Sequence, residues 1–173
     1  MTAEPGPDRD TEARATGDAL AAVYRIADRA MRDLPIYNPA LAVAAIGFRA
    51  LGDSALGVVV TPWFMNLVRV PADRGAEVSP GATVARAMPA GVMDFTVGVL
   101  DGFGVIESCS LASPMFGFAD QQIAESTALA ALAAVLDPDF AVDAAPEAAA
   151  VPQPAPALDR RRFLRGALTE RRP

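Results

Sequence analysis

The chain of 173 residues holds one cysteine, Cys109, in the run Ser108-Cys109-Ser110, and neither histidine nor lysine. All 15 basic residues are arginine. A nucleophilic or redox-sensing thiol works as its thiolate, and the His and Lys side chains that usually stabilise one are missing. Cys109 therefore reads as a small core residue of an alternating strand. The same gaps exclude Ser-His-Asp and Cys-His triads, Schiff-base lysines and the phosphate-loop lysine. They also exclude Cys/His zinc sites, iron–sulfur clusters and Cys–His haem ligation. Only carboxylates remain for acid–base work. Asp94, Asp101 and Glu107 fall within one predicted hairpin, Asp101 as turn chemistry and the other two between apolar neighbours as solvent-facing residues. Gly98, Gly102 and Gly104 lack the spacing of a nucleotide loop, and no helix follows them. The reading is a protein without catalytic residue, metal or cofactor.

Two apolar runs stand out beside these. Thr61-Pro62-Trp63-Phe64-Met65-Asn66-Leu67 follows a strand that Pro62 closes, and Ser113-Pro114-Met115-Phe116-Gly117-Phe118 follows another. Aromatic residues and Met are enriched at adaptable binding surfaces. These side chains either complete the core or form the walls of an apolar groove.

The elements that must position them are legible from periodicity. Residues 1–10, with two prolines and three acids, read as disordered. Leu20, Val23, Tyr24, Ala27 and Met31 form an amphipathic stripe that predicts a helix within 11–32, ended by Leu34-Pro35. From about Val43 the period becomes two, and Gly52-Asp53-Ser54 turns a first hairpin whose return strand runs over 56–61. The segment 63–68 fits a strand or a helical turn equally well. Residues 71–81 form a loop. Met93, Phe95, Val97 and Val99 alternate into the Asp101-Gly102 turn, and Val105, Cys109 and Leu111 return. A second helix spans 119–136, with Asp120 as N-cap and Ala128, Leu129, Leu132, Val135 and Leu136 as its buried stripe. The fold class is α+β: an antiparallel β-sheet from two hairpins packed with an N-terminal and a C-terminal helix, a single globular domain over 11–140. Residues 141–158 form an Ala/Pro linker, and 159–173 a basic tail.

Charge separates body from tail. Residues 1–158 hold nine arginines against nineteen acids, and residues 159–173 six against two. An acidic body argues against nucleic acid as a partner, since phosphate contact needs a basic face. The longest apolar stretch is broken by Pro62 and Arg69 and falls short of the roughly 20 residues that span a bilayer. The acidic N-terminus is no secretory signal, and a lone cysteine suits a reducing compartment, so the expected address is cytoplasmic. In the tail, Arg160, Arg161, Phe163, Leu164 and Arg165 match the twin-arginine export pattern, but no apolar stretch follows. The tail is either a plain basic end or a mimic that docks where a true signal peptide would.

Several blocks together resemble the HybE/HupJ family of [NiFe]-hydrogenase assembly chaperones. They are Asp33-Leu34 with Asn38-Pro39, Val60-Thr61-Pro62-Trp63-Phe64-Met65, Met88-Pro89, Gly91-Val92-Met93-Asp94-Phe95-Thr96-Val97-Gly98, Leu100-Asp101-Gly102 and Ser108-Cys109-Ser110-Leu111-Ala112-Ser113-Pro114. The resemblance covers roughly 18–138. This chain lacks the cysteines for the rubredoxin that some members carry. The family implies a cytoplasmic chaperone that binds hydrogenase subunit precursors, the small subunit with its twin-arginine signal peptide and the large subunit, until assembly is complete. Such a client needs an apolar groove beside carboxylates that pair with its arginines. Trp63, Phe64, Met65, Leu67, Met115 and Phe116 are the expected groove, and Asp94 and Asp101 expected carboxylates. The rival readings are a small carboxylate-based enzyme and a permanent structural subunit.

Overall fold

A computed structural model describes residues 7–140, and these begin as helix inside the segment that composition marks as disordered. α1 (Pro7–Met31) starts four residues upstream of the expected 11–32. Proline at the first helical turn forfeits an N–H that has no partner there, and Asp8 and Asp10 complement the positive end of the helix. Asp10 also accepts a hydrogen bond from the Ala50 N–H at 2.9 Å, which anchors this end to the sheet. The buried line of α1 is Ala13, Gly17, Leu20 and Ala21, with Tyr24 half-buried; Ala27, expected in the stripe, is exposed.

The sheet has six strands where two hairpins predict four. β1 (Ala44–Leu51), β2 (Ser54–Val60), β3 (Met65–Val70), β4 (Thr83–Met88), β5 (Gly91–Leu100) and β6 (Gly104–Ala112) lie in the order β1-β2-β3-β6-β5-β4, every neighbour antiparallel. The ambiguous 63–68 segment resolves into a turn and the start of β3. The Thr61 hydroxyl accepts from the N–H groups of Trp63 and Phe64, and the Thr61 N–H donates to the Phe64 carbonyl, so the chain reverses directly after Pro62. β4 escaped the sequence pattern because its inner-face stripe, Val84, Arg86 and Met88, has a charge in the middle.

Both helices pack on the β1–β2 pair, from opposite faces. Ala55 and Val59 meet α1, whereas Leu56, Val58 and Val60 join Ala124, Ala128, Leu132 and Val135 of α2 (Gln121–Leu136) in the larger core. Asp120 caps α2 as expected, accepting from the Ile123 N–H at 2.9 Å. Leu129, expected to be buried, is exposed, since the buried residues follow the i, i+4, i+8, i+11 line from Ala124. The β4–β5 turn closes over the end of α2, with the Ala90 N–H donating to the Val135 carbonyl. The linker 141–158 and the tail 159–173 lie outside the described residues.

Candidate functional site

Three connecting segments meet at one end of the sheet, and Asn38 ties them together. Its N–H donates to the Pro62 carbonyl (2.8 Å) and its Nδ2 to the carbonyls of Met115 and Phe118 (3.0 Å each). Its Oδ1 accepts from the Ala40 N–H (3.0 Å). A primary amide is suited to this place, since one nitrogen donates twice while the oxygen accepts. The Ser113 hydroxyl adds a longer bond to the Trp63 carbonyl. The loop after α1, the turn before β3 and the segment after β6 are thus held as one surface.

An aromatic chain runs through that surface. Tyr37 stacks on Trp63 with ring centroids 6.4 Å apart, Trp63 meets Phe64 edge to face at 5.7 Å, and Phe64 meets Tyr24 at 5.3 Å. The Tyr37 hydroxyl donates to Asp28, which also accepts from Arg32. Burial and then the bond to Asp28 raise the Tyr37 pKa, so the phenol keeps its proton. Leu34, Ile36 and Phe116 are exposed on the joined segments, Phe116 at 58%.

The expected groove is corrected by this geometry. Met65, Leu67 and Met115 are fully buried and Trp63 is 8% exposed, so these four complete the core. Strand alternation decides it for Met65 and Leu67, which point toward α2. Of the expected client residues, Phe116 faces solvent and Phe64 is half-buried. Asp94 is exposed on the face of β5 opposite Phe95. Asp101 is also exposed, but in the turn at the far end of β6, roughly 27 Å along the strand. The structure does not bring Asp101 to this site.

Glu107 overturns its expectation of facing solvent: it is 4% exposed. Arg69 donates to it at 2.8 Å, and Arg86 donates through Nε at 2.9 Å and through Nη2. Arg69 also approaches Asp53 at 3.6 Å. Burial alone would raise the Glu107 pKa, but the bonds from Arg86 and Arg69 outweigh it and hold the carboxyl below its ordinary range. The Cys109 thiol is pushed up, by burial and then by the charge of Asp94, away from nucleophilic character. Among the described residues, no three His, Cys, Asp or Glu come together as a metal site.

Comparison with known proteins decides the family. The profile of the [NiFe]-hydrogenase assembly chaperone HybE matches residues 14–166. The chain belongs to the HybE family. The hydrogenase expression/formation protein HupJ of Bradyrhizobium diazoefficiens is 50% identical to this HybE-family chain over 167 residues, 96% of each. HoxT of Azotobacter vinelandii, also a hydrogenase expression/formation protein, is 39% identical over 87% of the chain and 95% of its own length. The solution structure of HybE from Escherichia coli superposes with a TM-score of 0.58 at 27% identity, covering 79% of the chain and 83% of that protein. In this HybE-family chain the blocks around Asn38, Thr61 and Ser113 are the ones that converge on the aromatic end.

Sequence reasoning missed Asn38 as the hub and Leu34 and Ile36 as exposed apolar residues. Nothing in the periodicity marks them, because all three lie between elements. Glu107 did carry a signal, since it shares the parity of Val105 and Cys109 and so belongs to the inner face. Among the described residues no helix is long and apolar enough to cross a membrane.

Proposed function

We propose that this chain is a cytoplasmic, non-enzymatic chaperone that holds [NiFe]-hydrogenase subunit precursors, including the small subunit with its twin-arginine signal peptide, until assembly is complete. Membership of an assembly-chaperone family supports the class of function. The observation that carries the site is that Leu34, Ile36 and Phe116 are exposed, and Phe64 half-buried, on segments that Asn38 fixes in place. Exposed apolar side chains on a rigid support suit a client segment that is itself apolar. Exposed Asp33 and Asp120 lie on the same segments and offer pairing partners for client arginines. The tail pattern of Arg160, Arg161, Phe163, Leu164 and Arg165 has the chemistry of such a peptide and competes with it on this reading.

The enzyme reading has less behind it. A polar cleft of about 250 Å³ beside the start of α1 is lined by Arg9, Glu12, Asp53 and Arg74 among others. Yet Asp53 is lowered, first by the Ser54 hydroxyl bond, where a general acid needs a raised pKa. The test is co-expression with small- and large-subunit precursors. The wild-type chain co-purifies with a precursor, and the double variant Ile36→Ala, Phe116→Ala recovers about tenfold less at unchanged melting temperature. Undiminished recovery rejects this surface; no precursor with the wild type rejects the function.

A further inference from the structure

The two edges of the sheet are treated in opposite ways. At β1, the Ala50 N–H is taken by Asp10, and at Ala42, just before the strand, Gln121 bonds both N–H and carbonyl. A bulge between Ile46 and Arg49, with Gly47 at φ 65°, breaks the register between them. These are the devices by which proteins close an edge to further pairing.

β4 has no bulge, and no side chain among the described residues caps its outer edge. The Ala82 carbonyl accepts from the Val97 N–H, and the antiparallel ladder alternates from there. The N–H and carbonyl groups of Thr83, Ala85 and Ala87 consequently point away from β5, with no partner among the described residues. Their side chains are small, uncharged and exposed, so nothing on them obstructs another strand. The one charge on β4, Arg86, lies on the inner face. Its Nε and Nη2 are held by Glu107, while Nη1 has no hydrogen bond among the described residues, and the side chain is 39% exposed.

We propose that the free edge of β4 takes an extended polypeptide segment as a seventh strand, one that places a carboxylate beside Arg86. Main-chain bonds to Thr83, Ala85 and Ala87 would supply affinity, and the carboxylate would fix register. A second copy of this chain is the poorer occupant. In an antiparallel self-pair centred on this short strand, both copies of Arg86 share one face, opposite or diagonal to each other, and like charges there repel. The segment is taken to belong to the client, which rests on the proposed chaperone function, but the edge is tested without it.

The probe is the acetylated, amidated peptide Thr-Val-Ala-Glu-Ala-Val-Thr, followed by amide hydrogen exchange on the full chain. The expected result is slowing by about tenfold at Thr83, Ala85 and Ala87, with β1 amides unchanged. The same peptide N-methylated at alternate amides should give no protection. Ala85→Pro removes an outward N–H without touching the ladder to β5 and should abolish the effect in a chain of unchanged circular dichroism. Protection that survives both blocks, or no protection at saturating peptide, overturns the proposal. Self-association that protects the same amides without peptide overturns it in favour of a second copy. Precursor capture separates the two readings: recovery by both wild type and Ala85→Pro leaves the chaperone standing and removes the client from this edge.

Discussion

Glu107 has two guanidinium partners and almost no water, so its charge is tied to the folded state. Its folded pKa lies below the ordinary carboxylate value that it regains on unfolding. The stabilisation is therefore complete above that ordinary range and disappears as pH falls through the folded value. Glu107→Gln keeps the shape and removes the charge, leaving Arg69 and Arg86 facing a neutral amide. The cost near pH 7 should be on the order of 2–4 kcal/mol, toward the low end because Arg86 retains partial hydration. Urea unfolding from pH 7 to pH 3 checks this: the gap between wild type and variant should narrow as the acid side is reached. A gap that stays constant with pH would mean that the ionisation of Glu107 is not its source. The position of Glu107 was readable from strand parity, but its partners were not, since Arg86 stands on a strand that is not its neighbour in the sheet and far from it in sequence.

At the scale of elements, local pattern was sufficient wherever one element's own residues decide its state. The two hairpins and both helices follow from periodicity and turn chemistry, and the Asp120 cap was read directly. β4 was hidden because its inner residue Arg86 is satisfied by a distant strand, and the 7–10 turn of α1 because its anchor, the Ala50 N–H, is 40 residues off. The packing of α1 shows the same dependence on distant partners. By helix propensity alone Gly17→Ala should stabilise by about 1 kcal/mol. A Cβ there would sit 2.6 Å from the Phe48 ring, which lies between α1 and Gly57 of β2. Overpacking of that kind costs about 1–3 kcal/mol and wins, so the variant should melt lower. Adding Phe48→Leu should return part of the loss, as non-additive melting temperatures in the double variant would register. A more stable single variant would mean that α1 shifts freely on the sheet.

For the whole molecule, chemistry by exclusion and the family blocks pointed to a non-catalytic assembly protein, and the family is as those blocks implied. Trp63, Met65, Leu67 and Met115 were expected in a groove and are buried, for a physical reason: a large apolar side chain looks the same in sequence whether it fills a core or waits for a partner. Net charge is a property that sequence gives without such ambiguity. The full chain carries −6, and removing residues 159–173, with six arginines and two acids, leaves −10. A more negative body draws a cationic peptide faster at long range, and that attraction is screened over about 10 Å at 0.1 M salt. A twin-arginine peptide should therefore associate faster with the 1–158 chain than with the full chain at low salt. The difference in association rate should vanish near 0.5 M salt, where the screening length is only a few ångströms. A tail that competes for the site, as proposed above, adds a signature that net charge cannot produce: the apparent affinity of the full chain stays weaker even in high salt. Stopped-flow rates and equilibrium titration on the same pair of proteins distinguish steering from competition. Equal rates at every salt concentration would show that the charge of the body takes no part in drawing the client in.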